Sequence, residues 1–160
     1  MGGDNQPNLP HASIMFDDFY ERGGNCFDVA WVYGRGEREK LLGQWMSNRD
    51  IRSELVIITK GAHQPLNYPE YVTPQLMESL ERLQTEFVDI YFLHRDNHNV
   101  PVGEFVDVLN EHFSAGRIRC FGGSNWTLQR VEEANVYARS NGLQEFSVLS
   151  NNLSLAQMVD

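Results

Sequence analysis

The chemistry-bearing residues of this chain stand where short apolar runs end. Asn25 to Ala30 contains Asp28, with Tyr33 just after it; Leu55 to Thr59 leads into Lys60; Val88 to Leu93 leads into His94; Ile118 to Gly122 leads into Ser124 and Asn125. A carboxylate, a phenol, an ammonium and an imidazole make a coherent proton-transfer set. A phenol with its ordinary pKa of ~10 is a poor acid at neutral pH, and a nearby ammonium favours its anion. Lys60 would supply that cation to Tyr33, Asp28 would hold Lys60 in place, and His94 would orient a substrate oxygen by hydrogen bonding. Such a phenol protonates the alkoxide left when hydride reaches a carbonyl carbon, and the hydride must then come from a cofactor. Taken singly, each residue is more simply a polar group at the start of a loop. The chemistry depends on all of them meeting.

Whether they meet depends on the elements that carry them. The apolar periodicity predicts helices between Pro10 and Gly23, over Glu37 to Asn48, Thr73 to Thr85, Val102 to Ala115 and Leu128 to Asn141, with a last one starting near Leu155. Between them lie the four runs above and a fifth strand, Phe146 to Leu149. Thr73-Pro74 reads as a helix start, and Gly116 and Gly142 as helix stops. Strands alternating with helices of this length predict βαβ units and a parallel sheet. In a parallel barrel the C-terminal strand ends share one rim, where active sites sit. Four separated segments would thereby build one site.

A closed barrel needs eight strands and about 250 residues, whereas this chain offers five strands in 160 residues. The expected fold is α/β: a single partial domain over 1–160, an incomplete (β/α)8 TIM barrel of about five parallel strands with outer helices. The first strand and the last two βα units would lie outside it. A broken parallel barrel leaves unpaired strand edges, so the chain alone is expected to be unstable or inactive unless it oligomerises or the remainder of the barrel completes it.

Composition narrows the function classes. Hydrophobic residues make up 41% and charged residues 22%, ordinary for a packed domain. The net charge of −9 comes with no Lys/Arg cluster, which argues against nucleic acid as a partner. No apolar run reaches the ~20 residues of a membrane span, and the polar start has no leader pattern; no membrane partner is expected, and the location expected is cytoplasmic. Cys26 and Cys120 sit apart inside apolar runs and read as reduced core residues. His94, Asp96 and His98 lack a second cluster to complete a metal shell, so no metal is expected. Gly34-Arg35-Gly36 is not a dinucleotide fingerprint, because Glu39 stands where the third glycine belongs.

The motifs also carry a family resemblance. Phe27-Asp28-x-Ala30-x-x-Tyr33-Gly34-x-Gly36-x-x-Glu39-x-x-Leu42-Gly43 resembles the first signature of aldo-keto reductases, and Val56 to Lys60 resembles their lysine strand. Ser79-Leu80-x-Arg82-Leu83 followed by Val88 to His94 is similar to their histidine segment, and Ala115 to Trp126 to the next. These blocks stand in family order over about residues 11 to 155. The resemblance implies hydride transfer between NADPH, with NADH the other nicotinamide donor to consider, and a small-molecule carbonyl substrate. It implies Tyr33 as general acid, Lys60 and Asp28 as its tuning pair, His94 as substrate orienter, and Ser124 and Asn125 as carboxamide ligands. Ser150, beside Asn151, aligns where the family usually carries a glutamine for the same contact. The family's ring-stacking aromatic and its 2′-phosphate pocket would lie beyond Asp160.

Two other readings compete. A non-catalytic module would bind nicotinamide nucleotide without turnover, and a barrel lyase would use Lys60 as a Schiff base. The presence of all four residue types favours the reductase over both. The three tryptophans read as packing residues first: Trp45, on a helix, is expected in the core, while Trp31 and Trp126 border the expected rim and could also wall a pocket.

Overall fold

The computed structural model describes residues 8–152, so the helix expected near Leu155 lies outside the described residues. Five helices alternate with five strands: α1 (Leu9–Glu21), β1 (Cys26–Asp28), α2 (Glu37–Arg49), β2 (Val56–Gly61), α3 (Pro69–Leu83), β3 (Val88–Leu93), α4 (Val102–Ser114), β4 (Ile118–Ser124), α5 (Leu128–Asn141) and β5 (Val148–Ser150). Every strand pair is parallel and the sheet order is the chain order, β1-β2-β3-β4-β5. The result is a curled half-barrel, the partial (β/α) barrel expected. Right-handed crossovers send each helix to the same side of the sheet, and the helices pack there in sequence, α1 on α2, α2 on α3, α3 on α4 and α4 on α5.

Local chemistry sets the helix ends. The Thr127 side chain accepts from the Arg130 backbone N–H at the start of α5, and Gly142, at φ 66°, closes it. The expected start of α3 is corrected: the helix begins at Pro69, and Pro74 lies inside it. Pro74 forfeits one backbone hydrogen bond there. The helix nonetheless runs through it, because Val72 belongs to the same fully buried stripe as Leu76 and Leu83.

Among the described residues, helices cover only one face of the sheet. Ile57, Thr59, Tyr91 and Phe121 point to that layer and are completely buried. The register places Asp28, Ile58, Ile90 and Cys120 on the opposite face, which is half-open. This corrects the expectation for the cysteines: Cys26 is exposed and Cys120 half-buried. Both are free thiols, but neither is core, since an apolar strand run does not reveal that one of its faces lacks a cover. Trp45 is buried as expected, ringed by Phe16, Tyr20 and Phe27.

Candidate active site

The strand ends converge on one rim. The β-ladder is extended there by Trp31 N–H donating to the Lys60 carbonyl at 2.9 Å and His94 N–H donating to the Gly61 carbonyl at 2.7 Å. Asp28 thus ends β1 beside Lys60 of β2, and His94 leaves β3 beside Gly61. Tyr33 opens a 3-10 turn, Tyr33–Gly36, whose last residue has φ 91° and approaches the Arg82 guanidinium so closely that a Cβ would sit 2.3 Å from it. The φ favours glycine at position 36, and a larger residue there would also have to displace the Arg82 guanidinium.

Asp28, Tyr33, Lys60 and His94 are brought together. The Lys60 ammonium, 4% exposed, is ion-paired with the half-exposed Asp28 carboxylate and donates to the Val29 carbonyl at 3.1 Å. It also lies 5.3 Å from the centroid of the Tyr33 ring. The His94 ring also meets Tyr33, edge-on with centroids 5.7 Å apart. Tyr33 itself is 40% exposed, while its ring neighbours the buried cation and imidazole.

Burial pulls the His94 imidazole down to about 4, with the neighbouring His63, Lys60 and Arg95 acting in the same direction. His94 is therefore neutral at pH 7 and carries one ring proton. Its Nδ1 is buried without a hydrogen-bond partner, whereas Nε2 is not among the buried unpartnered atoms. Orphaned buried N–H donors are rarer than orphaned acceptors, which assigns the proton to Nε2, where an incoming oxygen can accept it.

Ser124, Asn125 and Ser150 gather at the next stretch of the rim. Asn125 Nδ2 donates to Ser124 Oγ at 2.9 Å, and the Asn125 backbone N–H donates to the Ser150 carbonyl at 3.1 Å. Ser124 and Ser150 are register partners on β4 and β5. Since Leu93 pairs with Gly123, His94 and Ser124 leave adjacent strands at the same level, about 5 Å apart along the sheet. The cluster keeps the Ser124 hydroxyl proton as a donor and the Asn125 amide oxygen as an acceptor, the pair of functions that a carboxamide group requires.

A second set of residues supports the first and was not singled out for a role from sequence. Glu39 is fully buried; its carboxylate accepts from Thr59 Oγ1 at 2.6 Å and from Arg82 Nη1 at 3.1 Å, and Arg82 also donates to the Trp31 carbonyl at 3.0 Å. This network fastens the residue before Lys60 to the turn before Tyr33. At the far side, Arg130 holds the loop after His94 through Asp96 Oδ2 at 3.1 Å and the Val100 carbonyl at 2.6 Å. His63, three residues beyond Lys60, places its ring 4.7 Å from that of His94. The rule that picked out His94, an ionisable residue just past a strand, would have found His63 had β2 been carried to Gly61.

Of the two roles open to Trp31 and Trp126, the structure shows packing and not a pocket wall. Trp126 is 1% exposed and packs on Phe105 and Phe146, within the core rather than on a pocket wall. Trp31 turns toward α3, its indole N–H donating to Glu78 at 2.6 Å. Among the described residues no group of His, Cys, Asp and Glu is arranged to hold a metal, and no helix is long and apolar enough to cross a membrane.

Comparison with known proteins bears on the whole chain. The family model described as Aldo/keto reductase family matches residues 1–160. Norsolorinic acid reductase B of Aspergillus parasiticus is 34% identical over 150 residues, covering 86% of this chain and 39% of its own length. An aryl-alcohol dehydrogenase of Pestalotiopsis microspora is 32% identical over 165 residues, covering 96% and 43%. The chain therefore spans about two fifths of the length of the curated relatives it matches. Among solved structures, an aldo/keto reductase from Klebsiella pneumoniae in complex with NADP and acetate shares the fold with a TM-score of 0.70 at 24% identity, over 82% of this chain and 45% of that one. Another from the same organism, in complex with NADPH, gives 0.69 at 25% identity over 79% and 43%.

Proposed function

Because the chain belongs to the aldo/keto reductase family of oxidoreductases, we propose that its rim is the proton-transfer side of an active site moving hydride between NADPH and a carbonyl or alcohol substrate. The observation that carries this reading is the Lys60 ammonium, buried and ion-paired with Asp28, 5.3 Å from the Tyr33 ring. A fixed cation beside a phenol stabilises the phenolate left after the proton departs. Tyr33 is the general acid: its hydroxyl gives a proton to the oxygen of the substrate as that oxygen becomes an alkoxide, and takes the proton back in the oxidation direction. His94 holds the same oxygen with its Nε2 proton, and its neutrality lets it orient without adding a second charge. The hydride itself is supplied by the nicotinamide cofactor when bound. Ser124 and Asn125 would hold the carboxamide, with the Ser150 hydroxyl beside them, since they offer the donor and acceptor it needs.

The lyase alternative finds no support in the site. A Schiff base requires a free amine within reach of a carbonyl, whereas Lys60 is buried and doubly engaged by Asp28 and the Val29 carbonyl. The test is NADPH oxidation with a generic aldehyde by the full chain and by Tyr33→Phe, alongside NADPH binding followed by fluorescence. Turnover is expected to fall by a factor of 100 or more, the upper range for loss of a general acid–base group being about 10⁴, with cofactor binding retained. A Phe variant with full turnover removes Tyr33 from the mechanism; nucleotide binding without turnover in the unmodified protein favours the non-catalytic module.

A further inference from the structure

His63 has no part in the proton transfer just described, yet its ring centroid lies closer to His94 than that of Tyr33 does, 4.7 Å against 5.7 Å. Its Nδ1 stands 2.9 Å from the Gln64 carbonyl oxygen. A carbonyl only accepts, so Nδ1 carries the proton of the neutral ring and Nε2 keeps its lone pair. Among the described residues nothing hydrogen-bonds to that Nε2, and it is not among the buried atoms left without a partner, so it is accessible to a ligand on a ring 4.7 Å from that of His94.

The loop that carries the ring is fastened. Leu66 N–H donates back to the His63 carbonyl at 2.8 Å, Asn67 Nδ2 donates to the Asp96 carbonyl at 2.7 Å, and Asn97 Nδ2 donates to the Asn67 carbonyl at 3.2 Å. The acceptor is thus held in place before any ligand arrives, which lowers the ordering cost of binding. Side by side, His94 offers a donor and His63 an acceptor. A lone carbonyl uses the first and leaves the second unpaired; a carbonyl with a hydroxyl on a neighbouring carbon uses both.

We propose that His63 is a specificity-determining residue that accepts a hydrogen bond from a hydroxyl next to the reacting carbonyl, so that the site prefers hydroxy-carbonyl compounds over their deoxy counterparts. This rests on the carbonyl-reductase reading of the same site. The ligand class follows from the complementary pair of imidazoles: the carbonyl oxygen accepts from His94 Nε2 while the adjacent hydroxyl donates to His63 Nε2.

Binding of 2-hydroxyacetophenone and of acetophenone to the full chain, measured by calorimetry with no nicotinamide nucleotide added so that no hydride moves, tests it. One neutral hydrogen bond corresponds to a preference of about threefold to tenfold for the hydroxy ketone. His63→Phe, which keeps an aromatic ring against His94, is expected to abolish that preference, and His63→Gln, which keeps an acceptor, to retain part of it. Equal affinity for the two ligands in the unmodified protein, including binding of neither, overturns the proposal, as does a preference that survives His63→Phe. NADPH oxidation with the same hydroxy ketone reads the reductase assignment separately. Turnover without preference removes His63 and leaves the reductase; preference without turnover removes the reductase and leaves His63 as a recognition residue.

Discussion

His94 and Lys60 are both buried titratable groups, and their chemistry makes opposite demands on the fold. Burial holds His94 neutral, its imidazole pulled from the ordinary 6.5 to about 4. Between those two values the unfolded chain binds a proton that the folded chain does not, so the penalty is absent above pH 6.5 and grows as pH falls toward 4. At pH 4.5 it reaches about 2 kcal/mol. Urea unfolding at pH 7 and pH 4.5 is expected to show a larger loss for the unmodified protein than for His94→Gln by about that amount; equal losses would mean that His94 is charged in the folded state. His112, also lowered by burial and then by Arg117, contributes equally to both proteins and cancels. For Lys60 the partner Asp28 is half-exposed, so water can take over when the ammonium is removed. Lys60→Met, similar in length, should change stability by no more than about 1 kcal/mol while turnover falls by roughly 100-fold or more for want of the cation. A large loss of stability with activity retained would make the pair structural.

At the scale of elements, the contact between α2 and α3 supports the network that backs Tyr33 and Lys60. Gly43 lies buried in α2, and a Cβ there would stand 2.3 Å from the Arg82 carbonyl oxygen and 2.7 Å from Leu83 Cα, all backbone of α3. Alanine's better helix propensity is worth about 1 kcal/mol; overpacking against atoms that cannot rotate away costs about 1–3 kcal/mol. Gly43→Ala is therefore expected to lose up to about 2 kcal/mol in denaturant unfolding, and a net gain would show that the helices separate freely. The elements were legible where local signals suffice: Leu128–Asn141 has the expected bounds because a threonine cap and a terminal glycine mark them. β2 and β4 run further than their apolar runs, to Gly61 and Ser124. Backbone pairing, Gly61 with Leu93 and Ser124 with Ser150, continues without apolar side chains.

At the scale of the molecule, both edges of the sheet are unpaired among the described residues. Among the described residues β1 pairs only with β2, and β5 only with β4. Next to β1, α1 exposes Ile14 (69%), Met15 (61%) and Phe19 (45%). The same edge holds an apolar cavity of about 390 Å³ between Met15, Phe16, Val29 and Leu41, reaching Asp28 and Tyr33. Unpaired edges beside apolar surface drive association. The 160-residue chain by itself is expected to associate in a concentration-dependent manner in sedimentation experiments and to bind a hydrophobic dye, with Ile14→Glu and Met15→Lys together reducing both. A dye-negative monomer that unfolds cooperatively would show that the open half-barrel is self-sufficient.

Sequence alone determined the alternation of elements, their parallel arrangement and the placement of Asp28, Tyr33, Lys60 and His94 at strand ends, because periodicity, caps and strand polarity are local properties of the chain. Tertiary structure alone decided which sheet face stays open, and so that Cys26 is exposed while Trp126 is core. It also decided that Glu39 and Arg82 brace the site from behind and that His63 meets His94. Those partners stand 43 and 31 positions apart; what joins them is the stacking of successive βα units, a long-range packing that local pattern does not encode.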